Sequence, residues 1–134
     1  MRSRWERSCC CRGDYLVGEA GPYKITVNEV AIGLTIPPAA VEICRPRLAP
    51  SHLVRAVSLA EVFSPDDAVA AGFLDRVVQP GELREVTRSI AAGLARLDLD
   101  AHAASKLGAR DQALTAIRAA FEVDYAAMPA PAPA

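Results

Sequence analysis

An α+β fold is predicted by the order of hydrophobic patterns along this chain. Two short β-like runs come first, an irregular apolar loop follows, and helix-period stretches fill the remainder around one later strand. At 134 residues, one domain is the expectation. Two or three short strands need further strands or a helical layer to be stable. The early runs therefore read as the end of a larger sheet.

Residues 1–12 show no period and read as an unmatched leader. From Gly13 the texture changes. Residues 14–17 form a strand-like run, and Gly18 to Pro22 a turn cluster. Residues 23–27 carry the β-branched Ile25, Thr26 and Val27 and predict a second strand. An apolar stretch, residues 30–34, comes next. Pro37 and Pro38 fit a helix entry, where an amide needs no partner. That helix carries Ala39, Ala40, Ile43 and Cys44 and is limited by Pro46. Pro50 and Ser51 open another. Ser64-Pro65-Asp66-Asp67 is a helix start with a hydroxyl cap, proline in the first turn and acids near the positive end of the dipole. Gly72 is its terminator.

A short strand over residues 73–78 precedes a helix to about Leu97. Leu83, Val86, Ile90, Leu94 and Leu97 recur there at steps of three and four, forming an amphipathic stripe. A last helix is expected from about Asp100 to Tyr125. Ala103, Leu107, Leu114, Ile117, Ala120 and Phe121 form its expected buried side, and Gly108 is expected to bend or interrupt it. Residues 126–134 read as a Pro/Ala tail.

Charge and composition exclude several classes. A net charge of -1 offers no basic surface for a nucleic-acid backbone. A hydrophobic share of 51% argues against disorder. No apolar run approaches the roughly 20 residues that cross a bilayer, and no apolar signal segment follows the basic start. A cytoplasmic, reducing location with free thiols is the expectation. Cys9, Cys10 and Cys11 are consecutive, so their side chains diverge, unlike the spaced pairs that wrap a metal. No metal and no cofactor are expected. No phosphate loop, nucleophile elbow or nucleic-acid motif occurs.

Two segments carry a family resemblance. The order Gly13-Asp14-Tyr15, then Asn28-Glu29-Val30-Ala31-Ile32-Gly33, then Pro37 and Arg45-Pro46-Arg47-Leu48 resembles the crotonase, or enoyl-CoA hydratase/isomerase, family. In that family a [PN]-E-x-x-[IL]-G segment follows an aspartate-led strand. The run from Ser64 to Val78 resembles its A-x-x-x-G-[LF]-[VL]-x-x-V-V signature. The resemblance covers residues 13–125, about half of a typical member. It implies a truncated, crotonase-like fragment of a ββα spiral with carboxy-terminal helices.

It also implies acyl-CoA thioesters as substrates and trimer-type homo-oligomers. In such proteins two backbone amides stabilise an enolate, and carboxylates move protons or activate water. Glu29 falls where many hydratases and some isomerases place a catalytic glutamate. It stands beside Val27, Val30 and Ile32, an apolar setting of the kind a general acid/base uses. The second hydratase glutamate falls at Ser8 and the oxyanion glycine at Trp5, and neither matches. One aligned glutamate suits double-bond isomerisation better than two-carboxylate hydration. The alternative is a non-catalytic fragment or oligomerisation partner.

The remaining polar residues read structurally first. Arg45 and Arg47 suit a solvated or salt-bridged face, with CoA phosphates the alternative. Cys44 suits core packing. His52 and His102 suit surface or cap positions, and Lys106 reads as an exposed lysine.

Overall fold

The computed structural model describes residues 13–126 of the chain. The expected leader, with its three cysteines, and all of the expected tail except Ala126 lie outside the described residues.

Strands β1 (Val17–Glu19) and β2 (Arg76–Val78) pair in parallel, with Val17 opposite Arg76 and Glu19 opposite Val78. A parallel pair requires a long crossover, and nearly every element before β2 lies within it. The ladder starts later than the sequence predicts. Leu16 is held at its mouth instead, donating its amide to Asp75 Oδ2 at 2.7 Å while its carbonyl accepts from the Asp75 amide at 2.8 Å. The strand expected over residues 23–27 is reduced to one antiparallel bridge, Ile25 with Phe63. Phe63 lies in the short link between two helices, so no ladder can extend from it.

Three short helices follow a 3-10 turn at Val30–Ile32: α1 (Pro38–Cys44), α2 (Pro50–Leu59) and α3 (Pro65–Ala71). Each carries proline in its first turn, where no intrahelical acceptor is lost. Ser64 caps α3 as expected, its Oγ accepting from the Asp67 amide at 3.2 Å. Gly72 ends α3 with φ +99°, and a Cβ there would collide with the Arg47 carbonyl. Handedness and close approach both require glycine at that point.

These helices close on the core. Phe63 and Phe73 are its largest fully buried side chains, their rings 5.4 Å apart and tilted by 53°. Such a ring pair adds about 1 kcal/mol beyond the burial itself. Cys44, Leu48, Leu53, Ala56, Ala68, Ala71 and Leu74 complete the cluster. Ala56 on α2 and Ala68 and Ala71 on α3 are fully buried in it.

Helix α4 (Leu83–Leu94) half-buries Leu83, Val86 and Ile90, but stops before Leu97. The chain tightens there through i to i+3 bonds, Arg96 to Gly93 and Leu97 to Leu94. Asp98 then accepts from the Ala101 amide at 2.8 Å and starts the next helix.

That helix, α5 (Leu99–Ala126), passes Gly108 without a break, contrary to expectation. A single helical glycine costs only about 1 kcal/mol. Its inward face also differs from the expected one. Ala103, Leu107 and Phe121 are exposed, Ala120 is buried, and Leu114 and Ile117 are half-buried. For Ala103 and Leu107 the reason is length: α1 has seven residues and packs on the later part of α5, whose earlier turns meet Asp14 instead. None of the described helices is long and apolar enough to cross a membrane.

Candidate functional site

Glu29 occupies a loop wound around its own carbonyl. That oxygen accepts from the amides of Ile32 at 3.1 Å and Leu34 at 2.9 Å. Gly33, at φ +76°, reverses the chain and donates to the Val30 carbonyl at 3.1 Å. The glutamate backbone is thereby fixed without any help from its side chain.

The side chain is half-buried. Its Oε2 is shielded from solvent and has no hydrogen-bond partner among the described residues. Buried polar atoms without partners are uncommon, and a catalytic group is one accepted reason for one. Val30, the next residue, opens a cleft of about 670 Å³ whose walls include Leu34, Ile36, Val41 and Val57. That size and apolar character suit a small-molecule site. Val30, Ile32 and Leu34 are all exposed. Glu29 itself adjoins that cleft only in sequence, through Val30; its unpartnered carboxylate oxygen is a group that can accept or return a proton.

The other candidate residues go elsewhere. Arg45 pairs with Glu42 at 2.9 Å on the surface, and Arg47 pairs with Asp75. Both therefore follow the salt-bridged reading. Arg47 Nε, however, is buried and has no partner among the described residues. Cys44 is buried in the core. His52, in the first turn of α2, is half-buried, with its ring 6.2 Å from that of Phe63 and its Nδ1 3.3 Å from Ser51 Oγ. Among the described residues, no group of three His, Cys, Asp or Glu side chains could hold a metal. The places of the second glutamate and the oxyanion glycine, Ser8 and Trp5, lie outside the described residues.

Asp14 was missed by the sequence reading as a structural hub. Lys106 donates to its Oδ2 at 2.6 Å and Arg110 to its Oδ1 at 2.7 Å, with His102 Nε2 at 3.8 Å. The Lys106 hydrogen bond holds the Asp14 carboxyl below its ordinary value; burial opposes it, and the charges of Lys106, Arg110 and His102 act with the hydrogen bond. A signal was available: residues 102, 106 and 110 recur every four positions, so all three share one helix face.

No protein-family model and no curated protein matches this chain. Solved structures do. An enoyl-CoA hydratase from Mycobacterium ulcerans superposes with a TM-score of 0.82 at 43% identity, over 87% of this chain and 50% of its own. An enoyl-CoA hydratase/isomerase family protein from Pseudomonas syringae gives a TM-score of 0.88 at 41% identity, over 92% of this chain and 54% of its own.

The chain belongs to the crotonase family.

An enoyl-CoA isomerase from Mycobacterium tuberculosis is similar too, with a TM-score of 0.83 at 43% identity, over 91% of this chain and 52% of its own. The chain spans about half the length of these solved relatives. It is thus a partial region of the crotonase fold, α-rich with a short two-stranded sheet.

Proposed function

We propose that this crotonase-family chain serves proton transfer beside the thioester carbonyl of an acyl-CoA, with Glu29 as the acid/base. The Glu29 carboxylate takes a proton from the carbon next to the carbonyl, and the electron pair moves onto the thioester oxygen as an enolate. The same carboxyl then returns the proton two carbons along the chain, which shifts the double bond and restores the carbonyl. Hydration would need a second carboxylate to activate water, so isomerisation is the favoured reaction. No cofactor is required, since the CoA thioester is itself the substrate. The observation that supports this reading is the shielded, unpartnered Oε2 of Glu29, whose next residue, Val30, lines an apolar cleft.

Double-bond migration in a 3-enoyl-CoA, with crotonyl-CoA hydration run alongside, tests it by absorbance. Glu29→Gln keeps the shape and removes the base. Turnover should fall by about 10²–10⁴, and unchanged turnover in the variant would overturn the mechanism.

A second reading is that the chain is a non-catalytic segment working through association, including trimer-type self-association. Exposed Leu94, Leu97 and Leu99, close together in sequence at the α4–α5 turn, favour it as a candidate contact surface. Sedimentation that finds only monomer at high concentration would remove it.

A further inference from the structure

Strand β1 is covered on both faces and open along one edge. The Leu16 carbonyl accepts from the Arg76 amide, and the Ala20 amide donates to the Val78 carbonyl. In a parallel ladder every second residue bonds to the same neighbour. Residues 16, 18 and 20 therefore bond toward β2, and the amides and carbonyls of Val17 and Glu19 point the other way. Among the described residues, no group bonds those outward amides and carbonyls.

Both faces of the strand meet protein. Gly18 lies against the core, where a Cβ would come within 2.5 Å of Leu74. Val17 and Glu19 line a groove of about 670 Å³ whose other wall is α4, through Leu83, Arg84, Thr87 and Ala91. Cover on both faces is the setting of a strand within a parallel sheet. Edges that stay free are blunted by proline, lysine or a bulge. β1 has none of these, for its register with β2 is unbroken. Its one charged side chain, Glu19, is drawn aside to the Gly81 amide at 2.5 Å.

Backbone donors and acceptors that recur at every second residue select an extended polypeptide over a small ligand. A second copy paired edge to edge would bring the two α4 helices together with Arg84 and Arg88 facing their own copies, and like charges so placed disfavour that pairing. The solved relatives point to a different occupant, since this chain matches 50% of one and 54% of another.

We propose that the outer edge of β1 seats a strand from the half of the crotonase fold that this chain does not match, its backbone on Val17 and Glu19 and its alternate side chains in the groove under α4. The assignment is independent of Glu29, which contributes nothing to that groove.

Co-expression of the full chain with the unmatched half of the Mycobacterium ulcerans hydratase tests it, read by sedimentation and by amide exchange at single residues. A one-to-one complex is expected, in which exchange at Val17 and Glu19 slows by at least about tenfold. Val17→Pro deletes an outward donor without touching a bond to β2, and should weaken the complex about tenfold. Glu19→Gln keeps the backbone and should assemble as the wild type does. If Val17→Pro changes the far-UV circular dichroism spectrum, exchange in the wild-type complex decides alone. Recovery of the two polypeptides apart would overturn the proposal, as would a complex in which Val17 and Glu19 exchange as fast as in the free chain. Slowed exchange at those residues in a dimer of this chain alone would overturn it too, by giving the edge to a second copy. Glu29→Gln should assemble unchanged, so failure of the proposed chemistry and failure of docking are read separately.

Discussion

Two regions rich in apolar side chains, residues 48–78 and residues 29–36, meet opposite fates. In the first, Leu48, Leu53, Phe63, Phe73, Leu74 and Val78 are buried, with Val54, Leu59, Val62 and Val69 on the outer faces. In the second, Val30, Ile32 and Leu34 are exposed, and Ile36 alone is buried. Hydrophobicity does not separate them; geometry does. Helices α2 and α3 each turn alanines into the same core cluster, with Phe63 held in the link between them by its bridge to Ile25. The 3-10 turn after Glu29 instead wraps around a carbonyl oxygen and points its side chains outward. The first region holds the fold together, and the second presents a surface to something else.

The largest test of that contrast is Phe73→Ala. It removes a buried ring that packs on Phe63, and unfolding free energy should fall by about 3–5 kcal/mol, measured by denaturant titration. A loss below about 1 kcal/mol would mean that the core is not where the region's stability lies. Ser64→Ala deletes the α3 cap and should cost about 1 kcal/mol in the same titration. Ser64→Asn should restore most of that loss, since asparagine caps as well as serine. Ile32→Ser in the exposed turn should change stability by less than about 0.5 kcal/mol. A loss as large as that of Phe73→Ala would show the turn to be covered in solution and would dissolve the comparison.

The smallest expected effect belongs to Asp14. Its carboxyl is held below its ordinary value, chiefly by Lys106, so the stabilisation is complete above the usual carboxylate range. It fades as pH falls through the lowered value. Because the cluster is more than a third exposed, solvent screens most of its worth. Amide exchange in the first turns of α5 should therefore quicken on acidification or added salt, while exchange around Phe63 stays slow. Equal quickening in both places would contradict the distinction.

Much of this was legible in the sequence because the deciding interactions are local. Ser64, Pro65 and Gly72 specify α3 through a cap, a pre-set φ and a left-handed terminator, all within nine residues. Pro38 and Pro50 place the starts of α1 and α2 for the same reason. The spacing of Glu29 to Gly33, with the Ala-Gly-Phe-Leu pattern ending at Leu74, pointed to the crotonase family that the solved structures then established. What the residues could not reveal is which surfaces meet. Tyr23 to Val27 has strand propensity, yet it forms a single bridge because only Phe63 is within reach. Leu107 has the hydrophobicity of a core residue, yet it is exposed because α5 outruns the short α1 beneath it. The convergence of Lys106 and Arg110 on Asp14 spans more than ninety residues, and so does not follow from any local pattern. Caps, turns and prolines act through bonds to near neighbours, so sequence alone determined where α1, α2 and α3 begin. Burial, pairing and the shielding of Glu29 and Arg47 depend on what lies across a contact, and only the packed chain decided those.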